Sequence, residues 1–217
     1  LCKIFLQHRN AHDVFHFNFG SSLLDFPNYG LNLVDLPFYP RNAKLVVTYN
    51  GCDARRKFET TAKTQFSACH DSSCYGGVCN DGSQDILKQK RINKVAHYTN
   101  HIFAVNPDLL WNLPKDKSSF LPYAISSWDS LTAQPLNFNG RLRIVHAPTN
   151  RAAKGSRYII QALDNIAKKY PHVEVVLVEG MTNSEALNVY KSAHLIVDQG
   201  LIGWYGGLAV EAMRIGK

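Results

Sequence analysis

Residues 141–199 read RLRIVHAPTNRAAKGSRYIIQALDNIAKKYPHVEVVLVEGMTNSEALNVYKSAHLIVDQ, and the way two periods alternate along them decides the fold. "RLRIVHAP" (141–148), "VEVVLVEG" (173–180) and "HLIVDQ" (194–199) are short runs rich in branched apolar residues, as strands are. Between the first two, "NRAAKG" reads as a turn and "SRYIIQALDNIAKKY" as a helix with Ile159, Ala162, Leu163, Ile166 and Ala167 on one face. "NSEALNVYKSA" reads as a second helix, opening at an Asn-Ser cap. Strands too apolar to face water, alternating with amphipathic helices, predict a βαβαβ run in a doubly wound parallel sheet.

The N-terminal part alternates in the same manner. "DVFHFNFG" (13–20) and "AKLVVTYNG" (43–51) read as strands joined by a loop-like segment. "DILKQKRINKVAHYTNHIFAVNPDLL" opens as a helix with apolar Ile86, Leu87, Val95 and Ala96, then passes to a short buried strand before Pro107. Residues 126–140 are polar, with Pro135, Gly140 and no sustained period, so a boundary is placed there. The expected architecture is α/β, with two Rossmann-like doubly wound domains at 1–130 and 131–217. The opening residues read as the tail of an element already under way. At the other end "EAMRIGK" reads as a helix about to hand over to a strand. A fragment truncated at both ends, with both domains incomplete, is therefore expected.

Composition limits the functional classes. Of 217 residues, 45% are apolar and 19% charged, which suits a globular chain with a substantial core. No run approaches the roughly 18–20 apolar residues of a membrane span, and the first residues lack the succession of a signal peptide. These features predict a soluble, cytoplasmic protein. The net charge is +7, of which 14 basic less 11 acidic residues lie before Arg141 and 10 less 6 from Arg141 onward. A spread basic excess suits a phosphate-bearing ligand or peripheral association with the anionic inner face of a membrane, or simply a surface kept soluble by charge. With no basic run or aromatic-basic motif, nucleic acid is not an expected partner.

In an open parallel sheet, ligands bind beyond the carboxyl ends of the strands, which singles out three loops. The first carries Asn150, Arg151, Lys154 and Gly155 at a helix entrance, where two cations and backbone amides suit a diphosphate. Solvated surface charges at a helix start are the alternative. The second carries Glu179 and Gly180, suited either to the approach of a base or ribose or to a plain turn. The third is "GWYGGLAVEAM" (203–213), in which Trp204, Tyr205, Gly206 and Gly207 lead into a helix bearing one acidic residue, Glu211.

Taken together, "HAPTNRAAKGS", "VEGMTNSEALNVYKSAHLIVDQ" and "GWYGGLAVEAMRIGK" resemble the donor-binding domain of family 4 glycosyltransferases of GT-B fold (glycosyl transferases group 1). The resemblance covers residues 141–217 well and the first part more loosely. It implies a retaining glycosyltransferase that moves a sugar from a UDP-, GDP- or ADP-sugar to a hydroxyl of a glycan or lipid-linked acceptor, as in cell-surface polysaccharide synthesis. By that resemblance Arg151 and Lys154 bind the diphosphate, Glu211 binds the ribose hydroxyls, and Gly206 and Gly207 let the diphosphate lie near backbone amides. The catalytic set it implies is Arg151, Lys154 and Glu211, and no cofactor is required. Trp204 and Tyr205 would wall the sugar pocket or pack behind it. The family commonly carries another glutamate eight positions before the ribose-binding one, and here that position is Gly203, with Asp198 and Gln199 nearby in sequence. A catalytically silent nucleotide-sugar or glycan binder is the alternative.

On the acceptor side, "DVFHFNFGSSLL" and "VVTYNGCDAR" are similar to strands whose ends face the cleft, which nominates His16, Asn50 and Asp53. The alternatives are a hydrogen-bonded core role for His16 and, for Asn50 and Asp53, stabilisation of the turn or a pair with Arg55 or Arg56. Cys69, Cys74 and Cys79 recur with four residues between neighbours, and His70 adjoins the first. Unligated thiols in a loop, a structural zinc site and a disulfide are the three readings, in that order.

Overall fold

The computed structural model describes residues 1–136 and 138–217. The chain is α/β and divides into two compact units, Leu1–Gln65 with Val78–Pro122, and Phe66–Gly77 with Tyr123–Lys217. Each is built on its own parallel sheet flanked by helices, in the Rossmann-like manner.

In the first unit the order along the chain is α1 (Cys2–His8), β1 (Val14–Asn18), β2 (Lys44–Tyr49), α2 (Lys57–Lys63), α3 (Ser83–Tyr98), β3 (His101–Ala104) and β4 (Ser118–Phe120). The strands lie side by side in sequence order, all parallel. Leu45, Val47 and Tyr49 alternate along β2 into a core that takes Ile102 and Ala104 from β3 and Ile92 and Val95 from α3. The apolar residues expected to anchor α3 divide differently. Ile86 and Leu87 are exposed, and the buried stripe runs through Lys88, Ile92 and Val95. The helix starts at Ser83, and its register places Ile86 and Leu87 on the outer side. Lys88 is buried with its ammonium satisfied, since Nζ donates to the Arg55 carbonyl at 2.8 Å. The loop between β1 and β2 is ordered by carboxylates: Asp25 takes a forked pair from Arg91 of α3, and Asp35 accepts from the Leu23 amide and the Tyr39 hydroxyl.

The second unit runs β5 (Leu142–His146), α4 (Arg151–Lys154), α5 (Ser156–Lys169), β6 (Val173–Leu177), α6 (Asn183–Ser192), β7 (Leu195–Val197) and α7 (Gly207–Arg214). Its strands lie in the order β6-β5-β7, all parallel. The chain thus steps from β5 to one side, then crosses back to the other, which is a topological switch between β5 and β7. Val145, Val178, Ala186, Tyr190 and Ile215 form the core, together with Leu131 from the polar stretch expected to be a boundary.

Three local readings are corrected. "NRAAKG" is the short helix α4, because the Asn150 side chain caps it by accepting from the Ala153 amide at 2.9 Å and Gly155 ends it at φ +74. The cap of α6 is Thr182, whose hydroxyl accepts from the Glu185 amide while the Glu185 carboxylate accepts from the Thr182 amide; Asn183 is already helical. On α5 the inward face is centred on Leu163, with Ile159, Ile160 and Ala167 half-buried, while Ala162 and Ile166 face outward. The segment Phe66–Gly77 joins this second unit, the Ala68 amide donating to the Leu201 carbonyl at 2.9 Å. No helix among the described residues is long and apolar enough to cross a membrane.

Candidate functional site

The candidate site is built where β5, β6 and β7 end. Parallel pairing brings their carboxyl ends to one edge of the sheet, so three loops far apart in sequence meet there. The β5 end is pinned by His146, which is fully buried. Its Nδ1 lies 2.8 Å from the Val197 carbonyl, which can only accept, so Nδ1 carries the proton and Nε2 accepts from the Ser156 hydroxyl at 2.8 Å. One imidazole therefore fixes β5 against both β7 and the first turn of α5.

Lys154 closes the short helix α4 and projects to the β7 loop. Its Nζ donates to Asp198 Oδ1 at 3.0 Å and to Gln199 Oε1, with the Lys154 and Asp198 side chains only 14% and 11% exposed. Asp198 then uses its other oxygen, Oδ2, to accept from the Gly206 amide at 2.6 Å. Gln199 in turn donates through Nε2 to the Trp204 carbonyl. The loop 198–206 is thus folded back on itself by two side chains that both answer to one lysine. Gly206 fits closely into this arrangement: a Cβ there would lie 3.1 Å from Lys154 Nζ and 3.2 Å from Asp198 Oδ2, so a larger residue would press on the latch. At Gly207 a Cβ would meet nothing within 4 Å, so the first turn of α7 is open on that side.

Arg151 bridges to the β6 loop. Its Nε and Nη2 form a forked pair with Glu179 at 2.7 Å and 2.6 Å. These hydrogen bonds, with the charge of the guanidinium, hold the Glu179 carboxyl below the ordinary glutamate range and raise Arg151 in turn. The pair is exposed, Arg151 most of all, so a ligand can reach it. Gly180 turns the chain just beyond, at φ +68.

Glu211 stands on the second turn of α7, where Oε1 accepts from Asn183 Nδ2 at 3.3 Å. Tyr190 on α6 is held above the ordinary phenol range by burial and then by the negative charges of Glu211 and Asp198. The Tyr205 ring lies between Trp204 at 5.1 Å and Tyr123 at 6.2 Å, part-buried, with Trp204 more exposed.

The structure therefore gathers two groups at one edge of the sheet, Arg151 bonded to Glu179 and Lys154 joined to Gly206 through Asp198, with Asn150 capping the short helix that carries both cations and Gly207 and Glu211 on α7. Sequence reasoning missed the latch formed by Asp198 and Gln199, and it missed His146. A polar residue ending an otherwise apolar strand was the available signal for the histidine. Nothing local signalled that Gly206 and Lys154 would share a carboxylate.

In the first unit, His16 lies on an exposed face of β1 with Nε2 2.6 Å from the Thr48 hydroxyl. Asp53 closes the turn after β2 by accepting from the amides of Asn50 (2.9 Å) and Gly51 (2.6 Å); burial outweighs these bonds and lifts its carboxyl above the ordinary range. Arg55 pairs instead with Asp108 at 2.7 Å. Of the cysteines, Cys69 and Cys74 belong to the second unit and Cys79 to the first, where its sulfur lies 3.8 Å from Lys88 Nζ. Among the described residues no three or more His, Cys, Asp or Glu side chains are gathered as a metal site requires.

The chain matches no protein-family model, and no curated protein matches it significantly.

Proposed function

We propose that the second unit binds the nucleotide diphosphate of a nucleotide-sugar and that the protein is a glycosyltransferase of GT-B type. The observation carrying this reading is the Lys154, Asp198 and Gly206 cluster at the switch between β5 and β7, where an open parallel sheet takes its ligands. The diphosphate would lie over Gly207 and the first turn of α7, close to Lys154 and Arg151. There the backbone approach is unobstructed and the helix dipole favours negative charge. Glu211, one turn further on, would accept from the ribose hydroxyls. In transfer, the bond from the anomeric carbon to the diphosphate oxygen would break, a bond to the acceptor hydroxyl oxygen would form, and the hydroxyl proton would pass to the departing diphosphate. The fixed cations would stabilise the charge growing on the leaving diphosphate.

Both cations are already engaged by carboxylates, so a diphosphate must exchange with Glu179 for Arg151 and share Lys154 with Asp198. This sets the affinity below that of free cations and makes the glutamate a competitor of the ligand.

A second reading is favoured by one observation. Gly203 stands where a sugar-contacting glutamate is expected, and both neighbours able to replace it are committed: Asp198 to Lys154 and Gly206, Gln199 to Lys154 and Trp204. That supports a silent nucleotide-sugar or glycan binder. Incubating the protein with a panel of UDP-, GDP- and ADP-sugars, each together with glycan and lipid-linked acceptors, and measuring release of nucleoside diphosphate separates the two. Release above the uncatalysed rate supports the transferase; donor binding without release supports the binder; neither removes both.

A further inference from the structure

Cations collect where the strands of the second unit begin. Each helix of a βα repeat runs back from the carboxyl ends of the strands, so the last turns of α5, α6 and α7 point toward the amino ends of β5, β6 and β7. There α5 ends in Lys168 and Lys169, α6 in a turn carrying Lys191, and α7 in a turn carrying Arg214, while Arg141 stands just before β5. Arg141 and the three lysines are exposed. Arg143 is neutralised beside them by a forked pair with Glu174 at 3.0 Å and 3.1 Å. The other acids avoid this end. Glu179 and Asp198 follow the strands, Glu185 opens α6, Glu211 reaches Asn183 at the start of α6, and Asp71 belongs to the segment packed on α4. Asp164 lies more than one turn back along α5. Among the described residues, Asp129 and the paired Glu174 are the acids left at the basic end.

Cations at helix C-termini suit the helix dipole in any fold of this kind, so charge alone selects no partner. The aromatic side chains among them do. Tyr170, Trp128 and Phe138 are 43%, 51% and 64% exposed. Each lies against a basic group: Lys169 Nζ is 5.3 Å from the centre of the Tyr170 ring, the Arg214 guanidinium carbon 4.8 Å from that of Trp128, and the His194 ring 6.0 Å from that of Phe138. His194 precedes β7 and its Nδ1 accepts from the Arg143 amide at 2.9 Å, which fixes Phe138 at the same end. We propose that this end of the second unit docks on the surface of an anionic lipid membrane. Such a surface attracts Lys and Arg, and its headgroup layer takes up aromatic rings beside them. The cations come from the ends of three helices and one strand, so they are spread over a face of the unit instead of running along one element. A bilayer surface matches that spread better than a single strand of nucleic acid, which a groove would track.

The inference does not rest on the transferase reading, whose residues lie at the opposite ends of the strands. Co-sedimentation with vesicles of phosphatidylcholine, and of phosphatidylcholine with about 30% phosphatidylserine, at about 50 and 150 mM salt tests it. Binding is expected to the anionic vesicles only, and more weakly at the higher salt. Lys169→Glu and Arg157→Glu make the same change of charge near opposite ends of α5, roughly 18 Å apart along its axis and so beyond the Debye length of about 8 Å at the higher salt. There Lys169→Glu should weaken binding about tenfold or more, since each cation near the surface is worth roughly fivefold, and Arg157→Glu less than about threefold. Replacing Phe138 and Tyr170 together by serine should weaken binding about fivefold or more with the circular dichroism spectrum intact. Equal binding to neutral vesicles, no binding to either kind, equal losses for Lys169→Glu and Arg157→Glu, or undiminished binding by the double serine variant would overturn the proposal. Retention by a single-stranded oligonucleotide but not by anionic vesicles would also overturn it, and would assign this end to nucleic acid.

Discussion

The Asp198 carboxylate lies 3.0 Å from the Lys154 ammonium and spends its other oxygen on the Gly206 amide, 2.6 Å away. With little of either side chain exposed, removing the carboxylate would leave a mostly buried cation and an unanchored loop. Asp198→Ala is expected to lower unfolding stability by about 3 kcal/mol. Lys154→Met should cost less, because Asp198 keeps its amide partner. Urea unfolding of the two variants checks the order; a larger loss for Lys154→Met would contradict it.

His146 is the second fixed point of the same edge. Ser156→Ala removes the hydroxyl that Nε2 accepts from and leaves a buried acceptor unsatisfied. A loss of about 1–3 kcal/mol is expected in thermal or urea unfolding, and a neutral result would show that the imidazole is not locked by that bond.

Gly155, just before α5, and Gly207, the first residue of α7, should behave differently. Gly155→Ala meets a positive φ and a 2.7 Å clash with Leu201, so it should destabilise by about 1–3 kcal/mol. Gly207→Ala meets open space at the first turn of a helix and should leave stability unchanged or raise it by up to ~1 kcal/mol. The same Gly207 variant should nonetheless weaken nucleoside diphosphate binding, because its methyl group would occupy the space assigned to the diphosphate. Undiminished binding would place the ligand elsewhere.

Glu179 should titrate below the ordinary glutamate value of about 4.3, and Arg151→Ala should return it toward that value, as read by carboxyl-carbon NMR. Because its folded-state pKa is depressed, any stability it contributes is fully present above the unfolded value and is lost as pH falls through the lower folded one. That contribution is small and salt-sensitive, since the pair is exposed. The functional consequence is larger. Glu179→Gln should raise affinity for nucleoside diphosphates by freeing Arg151, and a fall in affinity would make Glu179 a ligand contact rather than a competitor.

How far the chain could be read in advance depended on the range of the forces involved. The parallel strands of the second unit were legible because β5 and β6 are mostly branched apolar residues, broken only by Arg143, His146 and Glu174. The short helix α4 was misread because its ending depends on Gly155 adopting a positive φ, and a glycine after "AAK" signals a turn as readily as a cap. On α3, Ile86 and Leu87 misled because an apolar residue signals burial only when the helix register is known, and that is set by where Ser83 starts it. Arg151 and Lys154 were nominated as a pair of cations and Glu179 separately, from position at the ends of strands. That Arg151 answers to Glu179 and Lys154 to Asp198 follows from the strand order β6-β5-β7, and strand order is set by packing between distant segments. The same is true of Phe66–Gly77, whose attachment to the second unit has no local signature.

The central claim is that a diphosphate is recognised at the Lys154 and Gly206 edge of the second sheet. Calorimetric titration of the wild-type protein and Lys154→Ala with UDP, GDP and ADP, and with the corresponding nucleosides, tests it most directly. At least one nucleoside diphosphate should bind, and Lys154→Ala should weaken it about tenfold or more while changing nucleoside affinity little. Absence of binding by all three, or equal losses for diphosphate and nucleoside, would contradict the account.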